Sequence, residues 1–317
     1  MTIFPKGVCV SVLKGFQVSV RRPSGEPDER SALRNRGRDP TQATPRRGGQ
    51  RTRNLKGEEH MITVATWNIN SIRMRLPLML SWLKETAPDV VLLQETKATD
   101  DKFPYEEIET LYYNIAHYGQ KSYNGVAILS KFPIEDITQG IPGFKDDQAR
   151  YIEAVIKGVR VASVYVPNGM AVGSDKYAYK LDFLKHLYTH TQTLLTYDEA
   201  FVLGGDFNVA PADLDVYDPQ EWHEQILCST PEREGFRSLV YLGLTDALRA
   251  LHPQTSELYT WWDYRGGSWQ NNFGLRIDHL LLSPQAADRL KEANVDKKIR
   301  AIEKASDHAP VLCQLEL

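Results

Sequence analysis

Residues 151–167 read YIEAVIKGVRVASVYVP, and the reading of this stretch decides the fold. Two runs rich in Val, Ile, Ala and Tyr meet at Lys157-Gly158, which signals a hairpin between two strands. A hairpin is antiparallel, so the sheet that holds it is not purely parallel. Other runs are apolar at successive positions, as in VVLLQET (90–96) and GVAILS (125–130), so both of their faces are expected to be buried. Strands are also predicted in MITVATWNIN (61–70), FVLGGDFN (201–208), RIDHLLLS (276–283) and 311–317. Helical spacing lies between them. Leu76, Leu80 and Leu83 precede the stop at Pro88, and Leu181, Leu184, Leu187 and Leu194 form a stripe within 175–197. Further helices are predicted around 231–242 and 285–293. One way to cover both faces is to stack two mixed β-sheets face to face with helices outside each, an α/β/β/α sandwich.

The 317-residue chain has no apolar run long enough to cross a membrane, and its length suffices for a large core. Its three cysteines, Cys9, Cys228 and Cys313, form neither a CxxC pair nor an even framework, which fits a reducing cytoplasm and argues against a disulfide scaffold or a cysteine zinc site. Charge divides the chain. Residues 1–60 carry 13 Lys and Arg against 6 Asp and Glu, a net of +7, while the remainder carries 25 against 35, a net of −10. The first 60 residues are rich in Arg, Pro, Gly and Ser and are expected to be a disordered basic tail. A nucleic-acid-binding arm is one reading of it. An Arg-rich transit peptide is disfavoured by Gly7, Gly15, Pro23 and Pro27, which interrupt any amphipathic helix. A third reading is that the tail is not native. Lys56-Gly57-Glu58-Glu59 would be encoded by a purine-rich run like a bacterial ribosome-binding site, so translation is expected to start at Met61. No linker interrupts 61–317, which is expected to be a single domain.

Polar residues recur where the apolar strands end: Asn68 and Asn70, Glu95, Asp206 and Asn208, Asp278, and Asp307-His308. Any one of them could be a turn residue. The last pair, within KASDHAPVLCQL (304–315), would serve equally as a helix cap. Five such clusters in one domain point further, because buried carboxylates are costly unless paired or metal-bound. Residues at i and i+2 of a strand point the same way, which would let Asp206 and Asn208, and likewise Asn68 and Asn70, face one site. The donors are oxygen-rich, which suits Mg²⁺ or Mn²⁺ better than zinc. With one histidine added, the set has what phosphodiester hydrolysis requires. No GxxxxGK[ST] loop and no GxSxG elbow is present, so neither a P-loop nucleotide triphosphatase nor a serine hydrolase is supported.

In order along the chain come TWNINSIR, VVLLQETK, YNGVAILS, VYVPNG, GGDFNVAP, TWWDYR, GLRIDHLLLS and SDHAP. Together these resemble the exonuclease III family of abasic-site endonucleases, within the endonuclease/exonuclease/phosphatase superfamily, over nearly all of 61–317. The resemblance implies the same four-layer sandwich. It implies metal-site roles for Asn68, Glu95 and Asp307, with Asp206 and Asn208 as a second metal position. Asp206 would activate or position the attacking water, and Asn208 would hold the phosphate and transition state. Asp278 would orient His308, which would bind the scissile phosphate as imidazolium. Tyr165 and Asn168 would lie on the phosphate side, and Arg73, Lys97, Tyr123 and Asn124 would face DNA. Trp261 and Leu275 would line a pocket for an extrahelical abasic sugar. The segment between Ala210 and Phe236, with ADLDVYDPQEWHEQILCSTPEREG at 212–235, departs from the commoner pattern, and its His223 and Cys228 are too isolated for a metal site.

The activity so implied is Mg²⁺-dependent DNA-repair phosphodiester hydrolysis, with Mn²⁺ able to substitute. It would cleave at abasic sites, remove 3′-blocking groups or digest 3′ ends, and leave a 3′-hydroxyl. The expected partner is double-stranded DNA with abasic sites or damaged 3′ ends, met by a monomer in a bacterial cytoplasm, on the nucleoid and away from membranes. Two alternatives stand beside it: a superfamily phosphatase or sphingomyelinase acting on lipid or inositol phosphates, and a catalytically silent DNA-binding protein. NINSIR and WWDYR…GLRIDHLL favour DNA over lipid, and the complete set of acids, amides and histidine favours an enzyme over a binder.

Overall fold

The computed structural model describes residues 61–317; the expectations for residues 1–60 lie outside the described residues. The elements are β1 (Met61–Asn68), α1 (Ile72–Thr86), β2 (Val90–Gln94), α2 (Tyr105–Glu109), β3 (Asn114–Tyr118), β4 (Val126–Ser130), β5 (Glu135–Gln139), β6 (Tyr151–Ile156) and β7 (Val159–Tyr165). They continue with α3 (Asp175–Leu195), β8 (Ala200–Asp206), α4 (Thr230–Tyr241), β9 (Thr245–Asp246), α5 (Ala247–Leu251), β10 (Asp278–Leu282), α6 (Pro284–Ala287), β11 (Leu290–Val295) and β12 (Val311–Glu316). Two six-stranded sheets result, ordered β11-β12-β1-β2-β4-β3 and β5-β6-β7-β8-β10-β9.

The hairpin forms as its sequence demands: β6 and β7 pair antiparallel from Tyr151 opposite Val164 to Ile156 opposite Val159. Each sheet also holds one parallel pair, β1 with β2 and β7 with β8. A parallel pair needs a crossover, and the two long helices supply it, α1 in the first sheet and α3 in the second. Alternate strand residues explain the unbroken apolar runs. Val64, Leu92, Ile128, Val161, Val202 and Leu280 fill the space between the sheets. Trp67, Val91 and Leu93 turn outward onto Met79, Trp82 and Leu83 of α1. Val164 and Leu203 turn outward onto Leu184 and Leu187 of α3 and Phe236 of α4. The four-layer mixed sandwich is therefore the observed architecture.

One predicted helix is corrected. The stretch 285–293 is not helical throughout: α6 is a single turn, and β11 follows as an edge strand antiparallel to β12. Its partly apolar composition suits either form, and only the free edge of β12 selects a strand. Lys291 and Glu292 lie on its exposed side, which suits an edge strand. Among the described residues no helix is long and apolar enough to cross a membrane.

Candidate active site

Functional groups gather where the parallel strands end. Asn68 closes β1 in register with Gln94 of β2, directly before Glu95; Tyr165 closes β7 in register with Asp206 of β8. Asp278 opens β10 opposite Asp206. Crevices outside the carboxyl ends of parallel strands are the usual ligand sites of α/β sheets, since two chains leave there in different directions.

Strand alternation is not what pairs Asn68 with Asn70 or Asp206 with Asn208, and that expectation is corrected. The strands stop at Asn68 and Asp206, and the next turns carry Asn70 and Asn208 at φ 45° and 50°. The two turns are alike. Asn70 N–H donates to Asn68 Oδ1 at 3.0 Å, and Asn208 N–H donates to Asp206 Oδ1 at 2.9 Å. Such side chain-to-backbone turns tolerate the left-handed region, which Asn enters more readily than most residues. Glu95, Lys97 and Asn124, which also border this crevice, have positive φ as well.

Contacts between the sheets assemble the centre. Asn68 Nδ2 donates to Asp206 Oδ2 across the sandwich and to Glu95 Oε1 within its own sheet, both at 2.9 Å. His308 lies just before β12, and its Nδ1 meets Asp278 Oδ2 of the other sheet at 2.9 Å. Nε2 then faces Asp206 Oδ2 at 3.8 Å, beyond hydrogen-bond range. Burial opposes the imidazolium, but the carboxylates of Asp278, Asp206 and Asp307 outweigh it and raise His308 to about 10. Asp206 is raised to about 7 by burial, with His308 opposing and Asp278 adding to the rise. At neutral pH the centre therefore pairs a charged imidazole with a carboxyl poised between its two states.

Glu95 and Asp307 lie in a second, connected network. Lys97 Nζ sits 2.7 Å from Glu95 Oε2 and 2.7 Å from Asn70 Oδ1, and Asn70 Nδ2 donates to Asp307 Oδ1 at 2.9 Å. Burial pushes both acids upward, yet Lys97 and Asn68 around Glu95, and His308 and Asn70 around Asp307, hold each below the ordinary carboxylate range. Two anionic carboxylates are hard-oxygen donors of the kind that suits Mg²⁺ or Mn²⁺, while the Asn68 amide turns its Nδ2 toward Glu95 and its Oδ1 to Asn70 N–H. Asp206, Asp278 and His308 also present atoms within 4.8 Å of one another. There a protonated imidazole repels a cation and Asp278 Oδ2 is engaged by Thr260 Oγ1 at 2.6 Å, whereas on the Glu95 side a cation would take the place that the Lys97 ammonium holds against Oε2. At a second position the Asn208 side-chain oxygen accepts from Asn168 Nδ2 at 3.2 Å, and the two Asp206 oxygens accept from Asn208 N–H and Asn68 Nδ2.

The remaining residues fall into three places. Tyr165 lies beside Glu95, its hydroxyl kept protonated by burial and by the charges of Glu95 and Asp206. With Tyr123, Asn124 and Asn168 it lines a cavity of about 420 Å³ that also receives Arg150 and Lys176. Arg73 and Lys97 line another of about 370 Å³ with Lys102 and Lys121, a basic cluster. Trp261 is half-buried, and its Nε1 donates to Asp307 Oδ2 at 3.0 Å. Leu275 is corrected: it is fully buried against Val216, Leu227 and Ile277, so it supports Trp261 from below and is not an open pocket wall.

Three contributors were not singled out by sequence. Thr260 bonds Asp278 and takes both the Ile277 and Asp278 N–H groups at 3.1 Å; its presence in TWWDYR was the available signal. Ser306 ties Asn68 O at 2.7 Å and receives His308 N–H, which joins β1 to the SDHAP segment. Arg150 lies 4.8 Å over the Tyr165 ring and no sequence pattern marks it.

A carboxyl raised toward neutrality beside a buried imidazolium, with two anionic carboxylates alongside, holds the kinds of group that phosphodiester hydrolysis requires. The comparisons with known proteins narrow that class. The model of the Endonuclease/Exonuclease/phosphatase family matches residues 65–308. Exodeoxyribonuclease III of Haemophilus influenzae is 34% identical over 263 residues, covering 79% of this chain and 98% of the relative. A 3′ phosphatase from Neisseria, solved with a product DNA hairpin, superposes with a TM-score of 0.79 at 45% identity, covering 81% of this chain and 100% of that one. An AP endonuclease from Archaeoglobus fulgidus gives 0.78 at 37% identity over the same shares. The chain belongs to the exonuclease III/AP endonuclease family, and it is a hydrolytic DNA phosphodiesterase of DNA repair.

Proposed function

We propose that this protein is a Mg²⁺-dependent, monomeric DNA-repair enzyme that acts chiefly at damaged 3′ ends, removing a 3′-phosphate or 3′ nucleotide to leave a 3′-hydroxyl. The observation that carries the proposal is the 3.8 Å gap between Asp206 Oδ2 at the end of one sheet and His308 Nε2 beside the other. Asp206 orients water and takes its proton. His308, held by Asp278, binds a non-bridging phosphate oxygen as imidazolium. The Tyr165 hydroxyl and the Asn208 amide donate to the phosphate as charge builds on it. Glu95, Asp307 and, with its amide turned, Asn68 would hold a divalent cation, which would supply neutralisation of the negative charge developing on phosphate and leaving oxygen. Mn²⁺, also a hard ion, is expected to replace Mg²⁺.

Preference for 3′ ends over internal abasic sites is supported by two points. The 3′ phosphatase from Neisseria is more similar to this chain than the AP endonuclease from Archaeoglobus fulgidus. Leu275 is buried, so Trp261 alone remains of the two residues assigned to a base-free sugar. The test is a parallel assay on three oligonucleotide duplexes: an internal abasic site, a 3′-phosphate at a nick, and a plain recessed 3′ end. Each is assayed with Mg²⁺ and with EDTA. The 3′-phosphate is expected to turn over fastest, with EDTA abolishing every activity. Faster abasic-site cleavage would overturn the preference; metal-independent turnover, or none, would overturn the mechanism.

A further inference from the structure

Below the candidate site lies a charge that this chemistry does not use. Lys180 of α3 and Glu232 of α4 are both fully buried and form an ion pair. Buried pairs of this kind seldom add stability over apolar residues of similar volume, so the geometry around the ammonium carries the meaning. An ammonium has three N–H donors, and here all three have acceptors. One goes to Glu232 Oε1, one to the Asn208 carbonyl at 2.6 Å, and one to the Asn168 carbonyl at 3.2 Å. Those two residues belong to different loops, one after β8 and one after β7.

Glu232 is itself fixed. Its Oε1 accepts Leu227 N–H at 3.0 Å, and its Oε2 accepts Ser229 N–H at 3.1 Å and Ser229 Oγ at 2.5 Å. The Lys180 stem passes beneath Gly169, where an added Cβ would come within 3.1 Å of Lys180 Cδ. The Asn208 amide is then settled from its far end: its Nδ2 donates to Val166 O at 2.9 Å while its Oδ1 takes Asn168 Nδ2. Burial holds the lysine below its ordinary pKa, with Glu232 and Asp206 opposing that shift.

We propose that Lys180 is a positioning residue for phosphate hydrolysis, locking the Asn208 and Asn168 backbones so that the Asn208 amide meets the transition-state phosphate. Through Glu232 the same lock reaches the 222–229 loop, within the segment whose sequence departs from the family pattern. The proposal rests on the role given to Asn208 under the proposed function. The test is a double-mutant cycle in which Lys180→Met/Glu232→Gln, which removes both charges together, is compared in the native and Asn208→Ala backgrounds. With Asn208 present, kcat on the 3′-phosphate duplex is expected to fall about 10-fold or more, whereas in Asn208→Ala the further loss stays under about 2-fold, the non-additivity of groups acting as a unit. A merely structural role lowers kcat equally in both backgrounds, as does a misfolded fraction, and that result overturns the inference. So does an unchanged kcat in folded variant protein. Should the pair not fold, Lys180→Gln/Glu232→Gln, which retains a buried donor, is carried through the same cycle; failure of both to fold assigns Lys180 to stability alone. If Asn208→Ala by itself leaves kcat unchanged, the role given to Asn208 fails first.

Discussion

A carboxyl group ordinarily ionises near pH 4, yet Asp206 reaches about 7 because it is wholly enclosed, while His308 reaches about 10 because three carboxylates surround it. Turnover that needs Asp206 ionised and His308 protonated has a bell-shaped pH profile. The rate is expected to rise through about pH 7 and fall through about pH 10, and a cation held at Glu95 moves the acid limb lower. Rate measurements from pH 5 to 11 at saturating substrate test this; a flat profile would remove both groups from the chemistry. For stability the signs differ from those of a salt-bridged acid. Both folded-state pKa values lie above their ordinary ones, so the folded chain holds these protons more tightly than the unfolded chain. The His308 contribution is fully present below about pH 6.5 and is lost as pH rises through about 10. Asp206→Asn and His308→Ala are each expected to slow turnover by about 10²-fold or more, the scale of a lost general base or oxyanion donor. Near-native rates in either variant would exclude that residue from the mechanism.

Among the elements, β8 carries the tightest constraint. Gly204 and Gly205 precede Asp206 and let the strand sit close to its neighbours. A Cβ on Gly204 would come within 2.6 Å of Leu92 Cδ1 of the facing sheet, and one on Gly205 within 1.9 Å of the Val164 carbonyl of β7. Side-chain ends can move aside, whereas a paired backbone cannot. Gly205→Ala is therefore expected to destabilise more than Gly204→Ala, with overpacking at Gly204 costing about 1–3 kcal/mol. For a chain of this size each kcal/mol lowers Tm by about 2–4 °C, so thermal melts rank the two variants. A larger loss for Gly204→Ala would contradict the packing argument. Elements are also where sequence reading was least complete. The short edge strands β3, β5 and β9 carry no clear sequence signal, and the composition of β11 suits a helix as well as a strand, because an edge strand is chosen by the free edge beside it.

At the scale of the whole molecule, the centre exists only because two sheets pack face to face. The hydrogen bond from Asn68 to Asp206 joins residues 138 apart, and that of Thr260 to Asp278 depends on a loop settling across β10. β1 begins at Met61, already paired with Glu316 at the far end of the chain. Translation from Met61 remains a proposal with a direct test: a chain that starts there is expected to keep the full Tm and full activity. A large loss of either would show that residues 1–60 contribute.

The sequence by itself determined the strand–helix alternation, the doubly buried strands and the kinds of donor available, because burial pattern and side-chain chemistry are local properties. Ordered motifs also marked most of the candidate residues. Tertiary structure decided how they meet. It replaced strand alternation with paired asparagine turns, sent Leu275 into the core, and placed Asp278 on one sheet against His308 from the other. Lys180 shows the limit most clearly. In a helical stripe of leucines it resembles an ordinary surface lysine, and only the closure of α3 over two loops gives its ammonium three acceptors and a reason to be buried.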